Sequence, residues 1–306
     1  MTLTERAAGV FIIAATPFTE GGAIDFDSAD RLVEFYLARG VTGMTVLGMM
    51  GEAPKLSDAE ARAFLAHMQG QVAGRVPVSV GVSNAGLGNI AALGQAAMAA
   101  GAAGVMIAPP RGVATDAALR GYFSAALSAL GPDVPVCYQD FPLSTGVALS
   151  VEAFGAMVRD HPQLVMLKHE DWPGLNKLSA IRRAGGRRVS ILCGNGGLFL
   201  PEEIARGADG AMTGFAYPEM LVTVVRLAQA GEMDAARDVF DAYLPLIRLE
   251  QQPGQGLAIR KEVLRRRGAI ADARTRAPGP SLTAEDHDEI THLMRRLDQR
   301  LERLDV

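Results

Sequence analysis

Eight short apolar runs, each followed by a stretch of helical character, recur between residues 9 and 230 of this chain. The runs are Gly9–Phe18, Met44–Gly48, Val76–Val82, Gly104–Pro109, Val134–Asp140, Leu164–Glu170, Val189–Gly194 and Gly210–Gly214. Helix-like segments lie near 27–39, 57–73, 86–100, 115–130, 150–160, 174–184, 199–206 and 218–230. The runs are too apolar to keep one face in water, so they read as strands buried on both sides, as in parallel sheets. Alternating β and α elements imply such a sheet, and eight units imply closure into an α/β fold of the (β/α)8 TIM-barrel type. A doubly wound open sheet is the competing architecture, and it normally shows a Gly-x-Gly-x-x-Gly turn after its first strand. Here the first run ends in Thr16-Pro17-Phe18, where proline stops the strand. Asp27 with Asp30 reads as the cap of the first helix, and Gly40 closes it.

Three more helical stretches, near 232–250, 255–267 and 283–304, end the chain, with a Pro/Gly/Arg-rich surface loop at 272–281. The expected organisation is therefore a barrel over 1–230 and a helical extension over 231–306 packed on it. Apolar residues make up 49% of the chain, enough for a large core. The net charge of −4 leaves no basic excess to release counterions, which argues against nucleic acid as the main partner. No apolar run approaches the roughly 20 residues of a membrane span. Met1–Val10 lacks a basic region followed by an apolar core, so no signal peptide is evident and a cytoplasmic location is expected. Cys137 and Cys193 both sit in strand-like runs, which suggests neither a disulfide framework nor a zinc cluster. His67, His161, His287 and His292 lie on helices or at their ends without metal-ligand spacing, so no metal and no cofactor are expected.

In barrels of this kind the active site is built at the C-terminal ends of the strands. The sixth run, Leu164-Val165-Met166-Leu167, leads straight into Lys168. Partial burial disfavours the charged form of an ammonium group, and a neutral amine could attack a ketone to form a Schiff base. The competing reading is a strand-end ion pair with Glu170 or Asp171. Of the 30 basic residues only Lys55, Lys168, Lys177 and Lys261 are lysines. Arginine cannot be deprotonated, so a lysine at a buried strand end is suggestive where the chain otherwise uses arginine. Strand alternation puts Glu170 on the side of Lys168, as an acid/base group or a salt-bridge partner, and turns His169 toward the helices.

The second strand runs into Gly48-Met49-Met50-Gly51-Glu52-Ala53. Glycines at both ends allow a tight turn whose N–H groups could hold a carboxylate; a plain βα turn is the alternative. The fifth ends in Tyr138-Gln139-Asp140-Phe141-Pro142, where Tyr138 could relay protons or be a core phenol. The seventh ends in Cys193-Gly194-Asn195-Gly196-Gly197. Loops at that place often hold phosphate, but no arginine or lysine sits in this one. Cys193 reads as a buried small hydrophobe.

Taken together, these residues resemble the dihydrodipicolinate synthase / N-acetylneuraminate lyase group of class I aldolases and lyases. The resemblance spans nearly the whole chain: Thr16-Pro17-Phe18, Gly48-x-x-Gly51-Glu52-Ala53, Leu56-Ser57, Tyr138…Pro142…Thr145-Gly146, Lys168, the Gly194 loop and Gly210-Ala211-Met212-Thr213-Gly214. It implies a barrel with a helical C-terminal extension, a homo-oligomer (dimer or tetramer) and a small-molecule 2-oxo acid substrate such as pyruvate. It also implies a Schiff base on Lys168, proton relay by Tyr138, and carboxylate binding by the turn from Gly48 through Met49, Met50 and Gly51 to Glu52. Gly194 and Asn195 would face the variable part of the substrate, with Glu170 and Met212 also bordering it.

The departures are equally specific. Met49-Met50 stands where the group usually carries Thr-Thr or Ser-Thr, and a thioether cannot donate a proton. Ala108-Pro109-Pro110-Arg111-Gly112 lacks the tyrosine that true dihydrodipicolinate synthases carry after the fourth strand, and Ser144 replaces the arginine of their fifth loop. Gln139-Asp140, Asn176-Lys177-Leu178 and the eighth strand look more like the branch that dehydrates 2-keto-3-deoxy sugar acids. The expected function is thus a Schiff-base lyase, a 2-keto-3-deoxy sugar acid dehydratase or aldolase. The alternatives are dihydrodipicolinate synthase and a barrel that binds a 2-oxo acid without turnover.

Overall fold

A computed structural model describes residues 1–304, and in it each strand pairs in parallel with the next until the eighth closes on the first. The strands are β1 Gly9–Ile13, β2 Gly43–Val46, β3 Val78–Gly81, β4 Gly104–Ile107, β5 Val136–Asp140, β6 Leu164–His169, β7 Ser190–Cys193 and β8 Gly210–Ala211. Between and after them lie α1 Phe26–Leu37, α2 Asp58–Val72, α3 Leu87–Ala99, α4 Asp116–Leu130, α5 Pro142–Thr145, α6 Val151–Asp160, α7 Leu175–Ala184, α8 Leu200–Ala205 and α9 Pro218–Gln229. Three further helices follow among the described residues: α10 Met233–Glu250, α11 Gly256–Arg266 and α12 Ala284–Leu304. Residues 305 and 306 of the expected extension lie outside the described residues. None of the described helices is long and apolar enough to cross a membrane.

The expected strands run past the observed ones at their C-terminal ends. The run Gly9–Phe18 pairs only as far as Ile13, and Gly210–Gly214 only through Ala211. Beyond those points the backbone stays buried and keeps single inter-strand bonds, Ile13 N to Thr213 O and Ala14 N to Thr45 O at 2.9 Å and Met212 N to Cys193 O at 2.8 Å, as it enters the barrel mouth. The cap of α1 is also displaced from the expected pair: Asp25 accepts a hydrogen bond from Ser28 N at 3.0 Å. Asp27 instead sits in the first turn, where it complements the helix dipole. Downstream of the second strand, Ser57 and Glu60 form a reciprocal capping box that starts α2.

Alternation along the strands sorts side chains into two cores. Val136 and Tyr138 of β5, with Leu164 and Leu167 of β6, join the large layer between barrel and helices. Cys137, Met166, Leu192 and Met212 join Phe11, Ile13 and Met106 inside the barrel. Between β5 and β6 the register shifts, Val136 pairing with Leu164 but Cys137 with Met166. The bulged residue, Val165, lets the ladder resume so that Gln139 lies beside Lys168. The segment expected as a plain surface loop at 272–281 is more engaged than that. Arg276 donates to Gly22 O, Lys55 O and Glu60, strapping the segment between α11 and α12 across the first and second βα connections.

Candidate active site

Lys168 sits at the C-terminal end of β6 with only 5% of its surface exposed. Its Nζ lies 3.0 Å from Glu170 Oε2. Gln139 Nε2 donates to that same oxygen at 2.7 Å, while Asn195 N donates to Oε1 at 3.3 Å. A buried carboxylate must be met by donors on its open sides, and here three converge on one group. Gly194 makes the arrangement sterically feasible, because a Cβ there would stand 2.0 Å from Glu170 Cγ. Asn195, at a positive φ of 49°, also donates from Nδ2 to Glu170 O at 3.1 Å. The loop after β7 is thus folded around Glu170.

Tyr138, expected as the proton relay, lies outside this group, on the helix side of the sheet. Its ring packs against Phe123 of α4 and Phe154 of α6, with centroid separations of 4.7 and 6.3 Å. The hydroxyl is buried without a hydrogen-bond partner among the described residues, and burial pushes the phenol pKa far up. The reason is the period of two: Gln139 is the register partner of Lys168, so its neighbour Tyr138 faces the helices. Tyr138→Phe should therefore lower kcat by less than about tenfold, short of the roughly 10²-fold minimum for losing a general acid/base. A kcat measurement beside a thermal melt checks this. The melt should hold or rise, since the variant removes an unpaired buried hydroxyl.

The turn after β2 is a single 3-10 turn, Met49–Gly51. Gly51 N bonds Gly48 O and Glu52 N bonds Met49 O, both at 3.0 Å, while Thr16 Oγ1 donates to Gly51 O. The N–H groups of Met49 and Met50 open the turn, where helical geometry supplies no acceptor and an anion can be received. Met49 Sδ accepts from Ser144 Oγ at 3.4 Å, and Met50 packs against the core inside the barrel. Arg111 donates to Ser144 O at 3.2 Å. Glu52 does not face the mouth, which corrects its expected place among the substrate contacts. Its carboxylate is taken up by Lys261 at 2.6 Å and Lys55 at 2.8 Å. Met212 is corrected too: it is fully buried inside the barrel, its Sδ 4.0 Å from Cys137 Sγ, with no surface left for a ligand.

Gly48, Met49, Met106 and Gln139 border a cavity of about 690 Å³. Asn195 borders another of about 610 Å³, with Trp172, Phe199, Glu203 and Arg206 around it. On the helix side of β5 and β6 lies a cluster that the sequence does not reveal. Lys177 joins Asp140 at 2.6 Å and Asp171 at 2.8 Å, while His169 Nε2 meets Gly174 O at 3.0 Å. Burial pushes Asp140 up to about 6, against the pull of Lys177, and pushes Glu203 up to about 8. Burial also lowers His169, which favours its neutral ring. His169 thus faces the helices, as alternation predicts. The site residue missed from sequence is Gln139, because only the register between β5 and β6 reveals which face it occupies.

Comparison with known proteins adds a second line of observation. The profile of the Dihydrodipicolinate synthetase family matches residues 6–297. An L-2-keto-3-deoxyarabonate dehydratase from Azospirillum brasilense is 32% identical over 300 residues, covering 96% of each chain. A 4-hydroxy-tetrahydrodipicolinate synthase from Sorangium cellulosum is also 32% identical, over 302 residues, covering 96% of this chain and 97% of that protein. The crystal structure of a dihydrodipicolinate synthase from Rhodopseudomonas palustris superposes with a TM-score of 0.94 at 49% identity, covering 97% of this chain and 99% of that one.

Proposed function

The chain belongs to the dihydrodipicolinate synthetase family and is an enzyme of the lyase class, and from that premise we propose that it dehydrates a 2-keto-3-deoxy sugar acid through a Schiff base on Lys168. The observation that carries the reading is the buried pair of Lys168 Nζ and Glu170 Oε2, 3.0 Å apart, with Gln139 on the same carboxylate. Lys168 adds to the C2 carbonyl and, with loss of water, gives an imine. The protonated imine draws electrons from C3. Glu170 takes a C3 proton to form the enamine, which expels the C4 hydroxyl. The same carboxyl returns its proton to that leaving group, so that water departs, and addition of water to C2 then hydrolyses the imine, freeing the product and Lys168. One carboxylate serves both transfers, and neither a phenol nor a turn hydroxyl is required. The N–H groups of Met49 and Met50 hold the substrate carboxylate, and Asn195 borders its distal hydroxyls. A homo-oligomer, dimer or tetramer, in the cytoplasm goes with this reading.

The Azospirillum relative, named as a dehydratase of such an acid, supports it. The names of the Rhodopseudomonas structure and the Sorangium relative favour a second reading, condensation of pyruvate with aspartate semialdehyde. Against that stand Ser144 in place of an arginine, Arg111 in place of a tyrosine, and Tyr138 turned to the helices. A second carboxylate lacking its charge-assisted hydrogen bond forfeits roughly 1.5–3 kcal/mol, about a ten- to hundredfold loss in kcat/KM. Measured on one preparation, kcat/KM should favour a five- or six-carbon 2-keto-3-deoxy acid over the condensation by at least that margin. Condensation at equal or better efficiency would put dihydrodipicolinate synthesis first.

A further inference from the structure

We infer that Lys261, on α11 beyond the barrel, is a positioning residue for the turn Gly48–Glu52, and that the C-terminal extension thereby sets the preference for a 2-oxo acid over an uncharged ketone. The inference rests on the proposed reading of that turn as the carboxylate site. Lys261 is fully buried and lies 209 positions from Glu52 in sequence, yet its Nζ donates to Glu52 Oε1 at 2.6 Å. It also donates to Arg274 O at 2.9 Å and stands 4.4 Å from the centre of the Phe18 ring. The other carboxylate oxygen accepts from Lys55 Nζ at 2.8 Å and from Arg276 N at 2.9 Å. Glu52 itself is the left-handed residue that closes the turn, with φ of 55°, and its N–H bonds back to Met49 O.

A carboxylate gripped from the extension on both oxygens fixes the backbone carrying it, and that backbone continues directly into the N–H groups of Met49 and Met50. Burial works against a charged Lys261, while Glu52 works for it. A buried ion pair of this kind adds little to stability compared with well-packed apolar residues, and its best-attested use is to specify one geometry. Losing Lys261 leaves the outer oxygen anchored and the inner one free. The turn can then rotate toward the partly exposed Lys55 and away from the substrate anion.

The test compares pyruvate with methyl pyruvate, which offers the same ketone without the charge. Half-saturating concentrations for borohydride trapping on Lys168 are read for wild type, K261M and K55M, with circular dichroism melts alongside. K261M should raise the pyruvate value about tenfold or more, the scale of a misaligned charge-assisted hydrogen bond, and leave methyl pyruvate within about twofold. K55M, at a partly exposed position, should shift pyruvate the same way by a smaller factor. A wild type that traps both ketones equally would overturn the carboxylate reading of the turn. A wild type that prefers pyruvate, with that preference unchanged in folded K261M, would overturn the inference alone. If K261M does not fold, an unchanged preference in K55M overturns it.

Discussion

Pyruvate followed by borohydride should place the reduced adduct on Lys168 and on none of Lys55, Lys177 or Lys261, and Lys168→Arg should abolish both labelling and turnover. The other lysines are spoken for by the fold. Lys55 and Lys261 share Glu52. Lys177 is held between Asp140 and Asp171 on the helix side of the sheet. Lys168 is on the barrel side of the sheet, and its one close carboxylate among the described residues is Glu170, at 3.0 Å. That carboxylate can accept the ammonium proton and leave the neutral amine that must attack C2. An arginine there keeps the charge and can still pair with Glu170, so the fold should survive, but it has no neutral amine to give. The expected loss of kcat is on the order of 10⁶, the scale seen when another enzyme loses its covalent nucleophile. Peptide mass mapping decides the matter: label on another lysine, or none with any 2-oxo acid, would end the Schiff-base reading.

The barrel is legible because strands buried on both faces cannot be mistaken for half-wet ones, and eight of them alternate with helices. Lys168 and Glu170 are legible because they lie on one strand and the extended residue that follows it, where a period of two fixes which side chains share a face. Tyr138 and Gln139 are not, because their facing toward Lys168 depends on register between two strands. An offset of one residue then reverses the face, and β5 and β6 shift register at Val136 and Cys137. Motif position favours the tyrosine, whereas the ladder favours the glutamine beside it. Motif position likewise favours Met212, although its thioether packs against Cys137 inside the barrel. Glu52 looks like a ligand-binding carboxylate until Lys261 is brought to it across 209 positions, a contact no local pattern encodes. Gly194, by contrast, carries a readable signal, since a glycine after a strand implies close approach, here of Glu170.

With Glu170→Gln, turnover of the deoxy acid should fall by roughly 10²–10⁴ while borohydride trapping on Lys168 persists, the pattern of losing a general acid/base after imine formation. The amide is nearly isosteric, so it fits above Gly194 where a bulkier group would not. It can still turn its oxygen to Gln139 and Lys168, which keeps the lysine in place. Its nitrogen then faces the N–H of Asn195, a contact at 3.3 Å in the wild type, so a modest loss of melting temperature is expected as well. What the amide cannot do is take a proton from C3. The direct readout is exchange of the pyruvate methyl hydrogens in D2O, followed by proton NMR. Wild type should exchange them through the enamine, and the variant should exchange them at least about 10²-fold more slowly at equal imine occupancy. Equal exchange in the two proteins would reduce Glu170 to a structural counter-ion of Lys168. The proton would then have to be carried by a group other than Glu170, Gln139 or Tyr138, because an amide does not titrate and the phenol faces the helices.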